Sequence, residues 1–241
     1  AQRGHSTDAT LAANYAVWNA LSVLRGIKPD AQLNRVLIER PGLDLAPRTR
    51  LVDSTPPQSY QPFAVMDALI GLGLARSADL GIRCYDINPR VIRFLRAFPQ
   101  DPRLFFTTEA GDPEYEAYAG KAGSSIGERT PASLVVGSEY AKRVTAENLN
   151  IVTHRPAGAP RFDLVVATNV LLYFEGNELL LGLTNIAAVL KPGGYLIHND
   201  LRPALDAHIQ LLNLHPIAAR TLRLSAPKAD PLYDSFAIYQ R

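Results

Sequence analysis

The stretch Phe162–Asp200, FDLVVATNVLLYFEGNELLLGLTNIAAVLKPGGYLIHND, decides the fold. Its apolar run Leu164–Ala167 ends in the polar pair Thr168-Asn169. A helix is predicted over about Gly176–Leu190, a tight turn at Lys191-Pro192-Gly193-Gly194, and a second apolar run at Tyr195–His198. Strand, helix, turn and strand in that order make a βαβ unit, the crossover that two parallel strands require. Ligands of open α/β sheets bind outside the carboxyl ends of the strands, so Thr168 and Asn169 stand where chemistry is expected.

Outward from this unit the same alternation continues. Val36-Leu37-Ile38 is a short apolar run ending at Glu39 and followed by Arg40-Pro41-Gly42-Leu43-Asp44, a strand and a turn. Residues 45–61 carry Pro47, Pro56 and Pro57 without a period and predict a long loop. Pro62 opens a helix with Phe63, Met66, Leu69, Ile70 and Leu74 on its apolar face. Gly81–Tyr85 is the next strand, ending at Asp86, and Asn88-Pro89 starts a helix to about Arg96. Residues 98–131 turn polar and Gly/Pro-rich around one apolar patch, Leu104–Phe106, and predict an insertion. Residues 138–148 are expected to be helical and Leu149–Thr153 a strand. After the βαβ unit come a helix over 203–213 and two closing strands, Thr221–Leu224 and Ser235–Tyr239, expected to be antiparallel. At the other end, Ser6-Thr7-Asp8 starts a helix over 7–26 with Leu11, Tyr15, Trp18 and Leu21 at helical spacing, closed by Gly26.

Composition narrows the class. A chain of 241 residues with 47% hydrophobic and 20% charged residues suits one soluble α/β domain with decorations. No apolar run approaches the ~20 residues of a membrane span. A net charge of +2, with scattered arginines, gives nucleic acid no footing as a partner. The single Cys84 excludes an internal disulfide and any multi-cysteine metal site, and its apolar surroundings predict a buried thiol.

Three short motifs carry a resemblance. Phe162-Asp163 precedes the fourth strand, Leu190-Lys191-Pro192-Gly193-Gly194 introduces the fifth, and Val36–Asp44 (VLIERPGLD) resembles a V-L-E-I-G-P-G-L-G turn after the first. With these the chain resembles the class I S-adenosylmethionine-dependent methyltransferases over roughly residues 35–240. Locally, Asn169–Phe174 is similar to the N-V-L-I-Y-F stretch of chemoreceptor-glutamate methyltransferases, although Thr168 replaces their arginine. The resemblance implies one methyltransferase-like domain over 1–241 with a Rossmann-like fold: a mainly parallel seven-stranded sheet with helices on both faces. Its strands are expected near residues 35, 82, 149, 163, 195, 220 and 234. The N-terminal helix then either packs on the sheet edge or forms a lid over the cofactor.

The resemblance also implies the site. S-adenosylmethionine would lie with its methionine end over Glu39, Arg40, Pro41 and Gly42 and its ribose on Asp86, with Ile87 following. A carboxylate suits a ribose diol because it accepts two hydrogen bonds at once. The other reading of Asp86 is an N-cap for the next helix. Arg40 replaces the motif's first glycine and Asp44 its last, so Arg40 either obstructs the cofactor's amino-acid end or binds its carboxylate. Tyr60 and Gln61 begin the first helix of the sheet domain and are expected to reach inward from a loop closing over the pocket. Thr168 and Asn169 contact cofactor or substrate, and Tyr173 is the catalytic candidate near the transferred methyl. A second alignment makes Leu51-Val52-Asp53 the first strand, with Ser59-Tyr60-Gln61-Pro62-Phe63 similar to the G-E-E-P-Y of the chemoreceptor enzymes. Its Pro56-Pro57 turn lacks the backbone donors a cofactor cradle needs.

Two patterns are set aside. Gly123-Ser124-Ser125-Ile126-Gly127 matches a G-x-S-x-G nucleophile elbow but lacks the strand before it and the helix after it. His198, Asp200 and His208 match no metal-ligand spacing. The expected function is thus S-adenosylmethionine-dependent methyl transfer to a small molecule or protein, without a metal. The alternative is a non-catalytic binding or scaffold module with a degenerate cofactor turn. A start at Ala1-Gln2, without Met, fits a trimmed domain or a cleaved targeting segment. The compartment therefore lies between the cytoplasm, implied by the resemblance, and export.

Overall fold

Seven of the chain's hydrophobic segments pair into one sheet. In the computed structural model these are β1 (Arg35–Glu39), β2 (Gly81–Asp86), β3 (Val144–Asn148), β4 (Phe162–Ala167), β5 (Leu190–His198), β6 (His215–Arg223) and β7 (Tyr233–Gln240), in the order β6-β7-β5-β4-β1-β2-β3. The structure describes residues 11–43, 48–49, 52–53, 57–106, 111–154 and 161–241. Strands β1 to β5 run parallel, and β7 joins them antiparallel to both β5 and β6. The strand order reverses between β1 and β4, where Ile38 pairs with Val166. That switch point is where a doubly wound sheet opens a crevice for a ligand.

Both faces of the sheet are covered, which is why the central strands are apolar without alternation. Val36 and Ile38 look into one core with Phe63, Met66 and Leu21, while Leu37 and Val165 look into the other with Leu183 and Ile186. Truncating a fully buried residue such as Leu37 to alanine would cost about 2–5 kcal/mol. Helices α1 (Leu11–Ile27), α2 (Gln61–Gly71) and α4 (Pro113–Lys121) lie together on the first face. Helices α6 (Gly176–Val189) and α7 (Pro203–Leu211) lie on the second. Helix α1 packs on α2, α4 and β7, so it lies on a face of the sheet and not on its edge strands β6 or β3.

The motifs of the βαβ unit have a physical reason. Asp163 accepts from Lys191 Nζ at 2.5 Å and from the Arg35 N–H at 2.8 Å, so one carboxylate ties together the starts of β1, β4 and β5. Gly193 takes φ +77°, and a Cβ on Gly194 would come within 3.0 Å of the Lys191 and Phe162 carbonyl oxygens. Only glycine meets both demands without strain.

Three expectations are corrected. The third strand is Val144–Asn148, not Leu149–Thr153. Asn150 accepts from the Val152 N–H at 2.9 Å and its carbonyl from Thr153 and His154, so a side-chain turn overrides the strand propensity there. The helix expected over 138–148 is a single turn, α5 (Ser138–Ala141). The insertion does not end at 131, because Ser133–Val136 is the centre strand of a small antiparallel sheet with Arg103–Phe105 and Gly127–Arg129. Residues 107–110 of it lie outside the described residues. Of the alternative first strand, Val52–Asp53 pairs among the described residues with Arg48–Thr49, in an antiparallel pair separate from the main sheet.

Candidate active site

The carboxyl ends of β1, β2 and β4 bring most of the expected residues together. Glu39 ends β1 beside Tyr85, its partner in β2, and is 1% exposed. Among the described residues its Oε1 has no hydrogen-bond partner. Burial, joined by the negative charge of Asp86, pushes the Glu39 carboxyl well above the usual carboxylate range. Asp86 ends β2 and is also buried. Burial raises its carboxyl, while the Asn88 N–H, the Arg40 guanidinium and the N–H groups of Gly42 and Ile87 pull it back. Two adjacent buried carboxylates make this end of the sheet receptive to a cation or to hydroxyl donors.

The turn after β1 keeps the form of a glycine turn although its first glycine is absent. Arg40 adopts φ +52°, in the left-handed region, and Gly42 follows at φ +71°. The Arg40 N–H donates to the Tyr85 carbonyl at 2.7 Å, which fixes the start of the turn against β2. Its guanidinium lies 5.6 Å from the Tyr173 ring centroid, within cation–π range. Pro41 and Gly42 are buried, and Ile87 is half exposed beside Asp86. Asp44 and residues 45–47, 50–51 and 54–56 of the 45–61 loop lie outside the described residues, and with them the closure expected of that loop.

Helix α2 supplies the opposite wall. Gln61, wholly buried, donates from Nε2 to Thr168 Oγ1 at 2.7 Å, and among the described residues its Oε1 has no hydrogen-bond partner. Tyr60 departs from expectation. Its ring packs edge-on against Phe106 at 5.2 Å in the first core, so it supports the wall and does not face the crevice. Of the two readings of Asp86, the helix cap falls to Asn88 instead, whose side chain accepts from the Arg90 N–H at 3.0 Å. Asp86 itself accepts from the Asn88 N–H at 2.7 Å.

Asn169 has φ +52°, and its N–H donates to Asn199 Oδ1 at 2.8 Å while Asn199 returns a bond to Asn169 Oδ1 at 2.9 Å. Tyr173 ends a short 3₁₀ turn, Leu171–Tyr173, and is 62% exposed, so its ring is open to a second molecule. Arg202 holds that turn by donating from Nη2 to the Leu171 and Phe174 carbonyls at 2.9 and 3.1 Å, and is itself gripped by Asp200. Asn199 and Arg202 were not legible as site residues, because each acts across strand ends that the sequence does not juxtapose. Ser125 is no nucleophile elbow, since it follows α4 and its N–H is held by Asp67 on α2 at 2.7 Å.

Strand order, switch point and paired carboxylates are all on one sheet, and solved structures resemble its overall fold. N-methyltransferase NodS from Bradyrhizobium japonicum, in complex with S-adenosyl-L-homocysteine, superposes with a TM-score of 0.50 at 14% identity, over 96% of this chain and 88% of that one. The chain has the class I methyltransferase fold. The magnesium protoporphyrin IX methyltransferase ChlM from Synechocystis PCC 6803, with S-adenosylmethionine bound, gives 0.48 at 13% identity, over 96% of this chain and 80% of that one. A TehB-like S-adenosylmethionine-dependent methyltransferase from Corynebacterium glutamicum gives 0.44 at 11%, over 95% and 97%. No protein-family model matches the sequence, and no curated protein matches it. Among the described residues of this methyltransferase fold, no helix is long and apolar enough to cross a membrane.

Proposed function

We propose that this chain is an S-adenosylmethionine-dependent methyltransferase, residues 1–241 acting as one methyltransferase-like domain. The observation that carries the reading is a pair of buried acceptors without partners among the described residues, Glu39 Oε1 and Gln61 Oε1, at the crevice of the sheet. Buried polar atoms are nearly always satisfied, and a ligand bearing donors or positive charge supplies what these lack. S-adenosylmethionine fits, with an ammonium for Glu39 and a ribose diol for Asp86. When bound, the cofactor supplies an electrophilic methyl group on a sulfonium.

The chain's own residues bind and orient. Pro41 and Gly42 let the backbone approach closely, Ile87 offers an apolar surface beside the ribose carboxylate, and Thr168 and Asn169 line the reacting end. Tyr173, exposed and next to Arg40, faces the side from which an acceptor would enter. Methyl transfer by in-line displacement needs alignment and exclusion of water more than a strong base, so this set suffices. The acceptor is a small molecule or a protein side chain.

Arg40 at a glycine position also supports a second reading, a binding or scaffold module that has lost the cofactor. Its left-handed backbone favours the first, because the turn keeps the conformation a glycine would take. Calorimetric titration with S-adenosyl-L-homocysteine separates them. Micromolar binding supports the enzyme, and no heat at millimolar ligand supports the scaffold.

A further inference from the structure

A second cleft, of about 440 Å³, opens between α1, α2, α4 and the turn Ala122–Ser125. It lies away from the crevice. Its α2 lining residues, Asp67 to Leu72, begin six positions after Gln61, which at 1.5 Å per residue places them about 9–16 Å along the helix. The volume is that of a small-ligand site.

Aromatic rings form one side. Tyr15 and Trp18 lie nearly parallel, 6.3 Å apart at 11°, and Tyr118 leans across both at 5.3 and 5.6 Å. Tyr15 and Tyr118 are buried, whereas Trp18 is only half-buried and presents ring surface. The floor is built, not incidental. Asp67 accepts from the Gly123 and Ser125 N–H groups, both at 2.7 Å. A Cβ on Gly71 would come within 2.8 Å of Ser125 Oγ, so glycine here lets that hydroxyl sit against the helix. Two carboxylates, Asp67 and Glu114, line the cleft against one cation, Lys121. Glu114 is exposed at the edge of the rings, where its negative charge joins burial in raising the Tyr15 hydroxyl.

We propose that this cleft binds an organic ammonium ion, seated on the half-buried ring of Trp18 with Glu114 as its counter-charge. Ring quadrupoles attract a cation within about 6 Å, and a weakly hydrated ammonium loses little on leaving water. The site is independent of the methyltransferase reading.

Trp18 is the chain's single tryptophan, so its fluorescence reports this cleft alone. Titration of the full chain with choline should give a saturable change, with 3,3-dimethyl-1-butanol, the neutral molecule of the same shape, binding about fivefold more weakly or worse. Glu114→Gln, at an exposed position, should weaken choline about three- to tenfold and leave the neutral alcohol unchanged. Calorimetry with choline at saturating S-adenosyl-L-homocysteine should return the same affinity. The proposal is overturned by an unsaturable response to choline, by equal affinity for the neutral alcohol, by parent-like binding in Glu114→Gln, or by competition with S-adenosyl-L-homocysteine.

Discussion

Gln61 and Thr168, 107 residues apart, meet in a 2.7 Å hydrogen bond that ties the first turn of α2 to the end of β4. Neither end has access to water, so the bond has no solvent substitute. Gln61→Leu should leave the Thr168 hydroxyl without its donor and destabilise the fold by about 1–3 kcal/mol. Denaturant melts read that loss. If Gln61 Oε1 also meets the ligand, affinity for S-adenosyl-L-homocysteine falls further than in Thr168→Val, which removes the bond but keeps the glutamine.

Asp86→Ala should weaken S-adenosyl-L-homocysteine at least about tenfold, since each lost hydrogen bond to a charged group is worth roughly 1.5–3 kcal/mol. The carboxylate is buried and holds the Asn88 N–H, so stability should also fall, by about 1–3 kcal/mol. Ligand affinity equal to the parent's in a folded Asp86→Asn would leave this residue a purely structural anchor of the turn.

Glu39 gives binding a pH dependence. Its carboxyl is raised by burial, so it holds a proton at pH values where an exposed glutamate has none. A cation placed against it lowers that value again, and ligand binding then releases a proton. Affinity for S-adenosyl-L-homocysteine should rise with pH, and heats should differ between buffers of different ionisation enthalpy. In Glu39→Gln both dependences should vanish. The free protein has the opposite trend, because a raised carboxyl contributes stability at low pH that is lost as pH climbs through its folded value.

His198 works in the acid range. Buried against Tyr239, with ring centroids 5.2 Å apart, it is lowered from 6.5 to about 4, chiefly by burial and against the pull of Asp200. The neutral ring therefore supports the fold fully above pH 6.5, and that support is lost as pH falls towards 4, on the order of 3 kcal/mol in all. Urea melts of His198→Phe, which preserves the stack, should show a shallower loss between those pH values than the parent.

Arg40→Gly should stabilise the protein by about 0.5–1 kcal/mol, because the left-handed backbone strain at this position outweighs an exposed contact with Tyr173. Thermal melts without ligand measure it. A fall in stability would mean that the guanidinium contacts with Asp86 and Tyr173 dominate.

Much of the fold was legible from one-dimensional pattern. Leu164–Ala167 and Val36–Ile38 are buried on both faces, so their apolar runs identify them as central strands, and the demands on Gly193 and Gly194 mark the irregular first half of β5, where its register against β4 shifts. Such features depend on neighbours in the chain and on the period of the backbone, which a sequence carries directly. The edge strand β3 escaped because only Val144 and Ala146 of its five residues are buried, too short an alternation to outweigh the β-branched run that follows. Tertiary structure alone decided that Glu39 and Asp86 share one buried region, that Gln61 reaches Thr168, and that Tyr60 turns into the core. It also decided that α1, α2 and α4 leave a cleft walled by Trp18. Each of these depends on which strands lie side by side and on burial summed over distant segments, and no local period encodes that.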